Sequence, residues 1–280
     1  MPATHVIAVP AIHGEVRRLE RLIDLAHQHW PAAKLVFLGN YVNHGPDSAA
    51  VLRAVKHQVS QGHIALRGHA EMQLLEYLNK ANDAPGAWNR YQYWGGCQTM
   101  RSFEREAGQW FDTRQAMEVY LDGSGTLRWL ESLPVFHREG SVVFSSSAVA
   151  RDSWNRRDRP NELEAVAECI PGGDEDDYAA RLGAPPECFA VCGHGLVVSR
   201  RYRDGVSSPV PDIHTPVTAF VSDDGTVLKA GEATHWPKDL GKFGPMLFRH
   251  GLYLDCGCGT RDDGPLVAAV LRSGKDHATA

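Results

Sequence analysis

The chain has no apolar run of 18 residues, so the sequence offers no membrane span. It has no excess of positive charge: 29 Lys and Arg against 34 Asp and Glu give a formal net charge of −5. Without a global positive field, general nucleic-acid binding is not expected. Cysteine is sparse, six in 280 residues, which excludes a disulfide scaffold. "CFAVC" and "CGC" offer four sulfurs for a zinc site, but Cys188 and Cys192 bracket an apolar strand and Cys256 and Cys258 sit in a glycine turn. Buried thiols are the favoured reading for them. The start "MPATHVIAVPAIHG" lacks a basic segment followed by a long apolar core, so the expectation is a cytoplasmic protein without a secretory signal.

What is present is the pattern of an ordinary globular α/β protein, 43% hydrophobic and 22% charged. "HVIAVPAI", "KLVFLG" and "HIALRG" read as strands, each followed by a helical pattern. In the first helix Val16, Leu19, Leu22, Ile23, Ala26 and Trp30 share a face, and in the second Val51, Leu52, Val55 and Val59 do, with Asp47 or Ser48 as N-cap. Three β-α units in a row imply a parallel sheet with a cleft at the strand C-termini. A helical, aromatic-rich cap is expected over about 82–139 and a polar surface insertion over about 150–187, within a single domain spanning 1–280. Further strands are expected in "SVVFSSSAV", "CFAVCGHGLVVS", "HGLYLDCGCG" and "PLVAAVLRS", and a hairpin in "PVTAFVSDDGTVLKA".

The absence that matters most is of carboxylates at the strand ends. In order these read "PAIHG", "GNYVNHGPDS", "RGHAE", "SSSAV" and "GHG". The series resembles the phosphoprotein-phosphatase branch of the calcineurin-like metallophosphoesterases, which includes bacterial serine/threonine phosphatases and diadenosine tetraphosphate hydrolases. The family pattern is GDxHG, GDxxDRG, GNHE, a His-Ala-Gly strand end and a Gly-His segment. "YWGGCQTMRSF" is similar to the Gly-Gly-x-x-Thr segment of the bacterial members' cap. The resemblance implies an α/β four-layer sandwich, two mixed sheets flanked by helices, and a two-metal site.

It also implies where that site has changed. The family's first aspartate falls at Ala11 and its bridging aspartate at Asn40. The asparagine ligand falls at His69, the proton-donating histidine at Ala70, that histidine's aspartate partner at Asn43 and the phosphate-holding arginine at His44. The His-Ala-Gly histidine falls at Ser145 or Ser146, while His13, Arg67, Glu71 and His194 are retained. Two adjacent divalent cations need anionic ligands, so the family's metal pair and its general acid are not expected.

Two readings stay open at this point. In one, the cleft binds an anionic or polar small molecule, or a phosphorylated partner, without turnover and without a cofactor. Asn40, Asn43, Arg67, His13 and His194 would be its ligand-binding side chains, aided by backbone N–H groups of the loops. In the other, the protein is a hydrolase with rewritten chemistry. Its catalytic candidates are His13, His44, His69, His194, Ser145 and Ser146, with a single zinc or iron ion on His13, His69 and His194 or a metal-free serine nucleophile. The plainer alternatives are inherited, hydrogen-bonded rings for His13 and His194, a helix cap for His69, a solvated loop for His44, a loop brace for Glu71 and Arg67 and a strand-end bond for the serines. Tyr41 and Trp94 are candidates for a pocket lining.

Overall fold

The computed structural model describes residues 4–79, 86–146, 189–193, 216–229, 246–248, 251–254, 258 and 265–273. The chain opens with β1 (Thr4–Val9), α1 (Val16–His29), β2 (Lys34–Phe37), α2 (Ser48–Ser60), β3 (Ile64–Ala65) and α3 (His69–Leu78). Four helices follow, α4 (Ala87–Tyr93), α5 (Gly96–Ala107), α6 (Arg114–Gly123) and α7 (Thr126–Ser132). Then come β4 (Phe136–Glu139), β5 (Val142–Ser145), β6 (Phe189–Cys192), β7 (Val217–Ser222), β8 (Val227–Lys229), β9 (Met246–Phe248), β10 (Gly251–Tyr253) and β11 (Val267–Ser273).

The strands make two mixed sheets, ordered β3-β2-β1-β11-β7-β8 and β4-β5-β6-β10-β9. β1, β2 and β3 are parallel, as are β5, β6 and β10, whereas β11 and β7 pair antiparallel. Strand periodicity explains the layering. Along β1 and β2, Ile7, Val9, Leu35 and Phe37 face the helices and pack with Leu19, Leu22, Val51 and Val55. The alternate residues Val6, Ala8, Val36 and Leu38 pack with Val142, Phe144, Phe189 and Val191 of the second sheet. Both faces of the first sheet are therefore apolar, which is why its strands read as continuous hydrophobic runs. The expected architecture of two mixed sheets flanked by helices is present.

Local departures from the sequence reading have local causes. The helical stretch ends at Ser132, and Phe136–Glu139, placed by sequence within the cap, is a strand paired with β5. Pro134 ends the helical run, and the turn at Gly140 (φ 62°) returns the chain as a hairpin. Asp47 caps α2, its Oδ1 accepting the Ala50 N–H at 3.1 Å. The surface insertion about 150–187 lies outside the described residues. Among the described residues no helix is long and apolar enough to cross a membrane.

Candidate functional site

Parallel strands bring their C-terminal loops to one edge, and the marked segments meet there. The Ala11 N–H donates to the Gly193 carbonyl (3.1 Å), and the N–H groups of Ile12 and His13 donate to the Asn40 carbonyl (3.0 and 2.9 Å). Four non-glycine residues have left-handed backbone: His13 (φ 47°), Asn40 (57°), Asn43 (72°) and His44 (58°). Among the described residues these four are the whole set, and all lie in the two loops after β1 and β2. Strained backbone concentrates where a site is shaped.

Glu71 holds the second loop together. It is fully buried, and its carboxylate accepts four backbone N–H groups. Oε1 takes those of Tyr41 (2.7 Å) and Val42 (3.2 Å), and Oε2 those of Asn40 (2.8 Å) and Gly68 (2.9 Å). Burial pushes its pKa up, and the four donors oppose that rise. Gly68 has room for no side chain, because a Cβ would strike the Asn40 amide. Glu71 is thus a brace.

Asn40, 1% exposed, uses both ends of its carboxamide: Oδ1 accepts the Ala70 N–H at 2.8 Å and Nδ2 donates to Ser146 Oγ at 3.1 Å. Asn43 starts a longer chain. Its own N–H donates to Thr99 Oγ1 (2.9 Å), and the Thr99 hydroxyl donates to Asn43 Oδ1 (3.0 Å). Asn43 Nδ2 then donates to Gln73 Oε1 (3.3 Å), which turns the Gln73 amino group towards His69 Nε2 at 2.8 Å. An amide N–H can only donate, so His69 Nε2 accepts and the neutral ring carries its proton on Nδ1. His13 is set likewise: Nδ1 donates to the Val42 carbonyl at 2.9 Å, which leaves the lone pair on Nε2. The His44 ring lies edge to face with His13 at 5.0 Å.

The other candidates are placed as follows. Arg67 reaches away from the loops, its Nη1 donating to the Glu131 carbonyl at the end of α7 (3.1 Å). Ser145 and Ser146 are buried; Ser145 Oγ lies 3.4 Å from Cys192 Sγ, and neither hydroxyl bonds an imidazole among the described residues. His194, Cys188 and Cys256 lie outside the described residues. Tyr41 does not border the cavity beside Trp94. It is fully buried, with its hydroxyl donating to the Leu66 carbonyl at 2.7 Å and accepting the Leu66 N–H at 3.0 Å. Trp94, by contrast, is half-exposed and borders a cavity next to His69.

The loop amides are largely consumed. Those of Ala11 to Glu15, Asn40 to Asn43, Gly45, Gly68 and Ala70 all donate within the fold, so a cradle of open backbone N–H groups is not what these loops form. Gln73 went unnoticed in sequence, although its spacing of four from His69 on a helix was the available signal. Thr99 is the threonine of the Gly-Gly-x-x-Thr segment. The segment's first glycine, Gly95 (φ 83°), lets the cap approach: a Cβ there would strike the His44 amide.

These residues do not fit a pair of divalent cations. Two such ions about 4 Å apart repel by roughly 17 kcal/mol at an effective dielectric near 20. Ala11 has no donor atom, Asn40 is neutral and already bonded at both ends, and His69 Nε2 is engaged by Gln73. Nothing in that set supplies the compensating negative charge.

No family model matches the chain. In sequence it is 24% identical over 210 residues to a symmetrical bis(5'-nucleosyl)-tetraphosphatase of Nitrosospira multiformis, covering 73% of this chain and 67% of that one. In structure it is similar to a candidate diadenosine tetraphosphatase (TM-score 0.47, 18% identity, 96% of this chain and 90% of that chain). It is also similar to a metallophosphoesterase from Sphaerobacter thermophilus (TM-score 0.46, 16% identity, 97% and 89%). With its motifs in family order at the strand ends of two mixed sheets, and with the match to the tetraphosphatase sequence, the chain resembles the calcineurin-like phosphoesterases.

Proposed function

We propose that this protein is a pseudo-phosphatase: a phosphoesterase framework that binds a small anionic or polar molecule, or a phosphorylated partner, without two-metal hydrolysis. The observation that carries the reading is Asn40. It stands where the resemblance puts the bridging carboxylate, and its carboxamide is spent on Ala70 and Ser146. Ala70 offers no proton where the family has its general acid. Ligand contacts fall to side chains, His13 and His44 foremost, because the loop amides are internally bonded. The name of the tetraphosphatase relative makes nucleotides the first anions to try.

The test pairs metal analysis with turnover. The purified protein is expected to hold no pair of manganese or iron ions and to leave p-nitrophenyl phosphate uncleaved with or without added manganese. Two metals per chain and robust turnover would overturn the reading.

The rewritten-hydrolase reading keeps one supporting observation, the His13 ring with its lone pair on Nε2 beside His44. A candidate ligand recovered chemically changed after incubation would favour this second reading.

A further inference from the structure

Between α3 and α4 lies a cavity of about 230 Å³, walled by Tyr77, Tyr91 and Trp94. We infer that it receives a flat aromatic group of the ligand whose anionic or polar part sits at the strand-end loops. The inference rests on the binding function proposed above and names the class of molecule bound.

Ring geometry is the first support. Tyr77 and Tyr91 are stacked on each other, centroids 4.6 Å apart and planes 9° from parallel. Trp94 has ring neighbours only at right angles among the described residues, His69 at 6.3 Å and 85° and Tyr93 at 5.3 Å and 87°. An indole that is 47% exposed at a cavity wall, with no parallel ring against it, suits an offset-stacked ligand ring. Volume is the second: an apolar cavity of about 150 Å³ already takes benzene.

Charge and position supply the rest. Glu76 and Arg90, one of each sign, both border the cavity and are exposed, so their charges offset and the cavity selects shape more than sign. The ligand's anion is therefore bound elsewhere, and His69 marks the junction. It is the first residue of α3, directly after the loop that meets Asn40, and its ring also lines the cavity. The chain of hydrogen bonds from Thr99 through Asn43 and Gln73 fixes that ring, so the wall is organised before a ligand arrives.

Isothermal titration with three uncleavable phosphonates tests the inference: methylphosphonate, cyclohexylmethylphosphonate and benzylphosphonate. The wild-type protein should bind the benzyl compound about tenfold more tightly than the cyclohexylmethyl one. Trp94→Ala should abolish that preference while leaving methylphosphonate affinity unchanged, and Trp94→Phe should keep part of it. Thermal melts of both variants confirm folding. Equal binding of the two ring compounds, with methylphosphonate still bound, overturns the aromatic site and leaves the binding function standing. No binding of any phosphonate overturns both.

Discussion

Glu71 offers the sharpest test of how the loops are held. Replacing it with alanine leaves four buried N–H groups, those of Asn40, Tyr41, Val42 and Gly68, without their acceptor. Each orphaned donor costs about 1–3 kcal/mol. Water entering the vacated space recovers part of this, so the low end applies, and four donors give about 4 kcal/mol. That is a large share of the roughly 5–15 kcal/mol by which domains are stable. Glu71→Gln keeps the volume and one oxygen, but turns an amino group towards two N–H donors, so about half the loss is expected. Urea unfolding followed by circular dichroism measures both variants. A loss under about 1 kcal/mol for Glu71→Ala would refute the idea that the carboxylate organises the loop.

Because burial raises the Glu71 pKa above its unfolded value, its contribution is fullest below the ordinary carboxylate range and declines as pH rises through the raised pKa. Glu71→Gln should remove that slope from a stability–pH profile. Glu139 works in the opposite sense. Burial raises its pKa, but hydrogen bonds from His137 and Lys34 outweigh that and lower it, so its contribution is present above the carboxylate range and lost as pH falls through the lowered pKa. Glu139→Gln should cost under about 1 kcal/mol at pH 7 and nothing in strong acid, read from melts at both pH values. Adding Ala11→Asp, Asn40→Asp, Asn43→Asp and Ala70→His together should leave p-nitrophenyl phosphate turnover far below that of an intact family member, since His44, His69 and the serines still differ. Zinc affinity, by titration, should change less than twofold in His69→Ala, because Gln73 already occupies Nε2.

The α/β alternation was legible because Leu19, Leu22, Ile23 and Ala26 repeat as a helix face, while β1 and β2, apolar on both sides, read as short continuous hydrophobic runs. β4 was not, since "FHRE" is short, half polar and adjoins a run of helices. In the site, the substituted positions are those the family resemblance implies from the order of the motifs. Their bonding could not be read that way. Whether a loop N–H is open or spent depends on which distant carbonyl or carboxylate reaches it, as Glu71 reaches the loop 31 residues earlier at Asn40. The same holds for Tyr41, whose neighbours in sequence suggest a loop and whose hydroxyl ties two strand ends together. Arg67 was open to two readings, a ligand contact or a brace of the loop, and its Nη1 donates to the carbonyl at the end of α7.

The left-handed turns at His13, Asn40, Asn43 and His44 separate two properties that a binding loop usually carries together. Apart from glycine, the residue types that tolerate such a backbone best are asparagine, aspartate and histidine. They differ in charge and in metal affinity but little in the path they allow the chain to take. At these positions an aspartate can become an asparagine without moving the loop. The same contour can therefore present a carboxylate, an amide or an imidazole, and chemistry can be exchanged while the frame that displays it stays put.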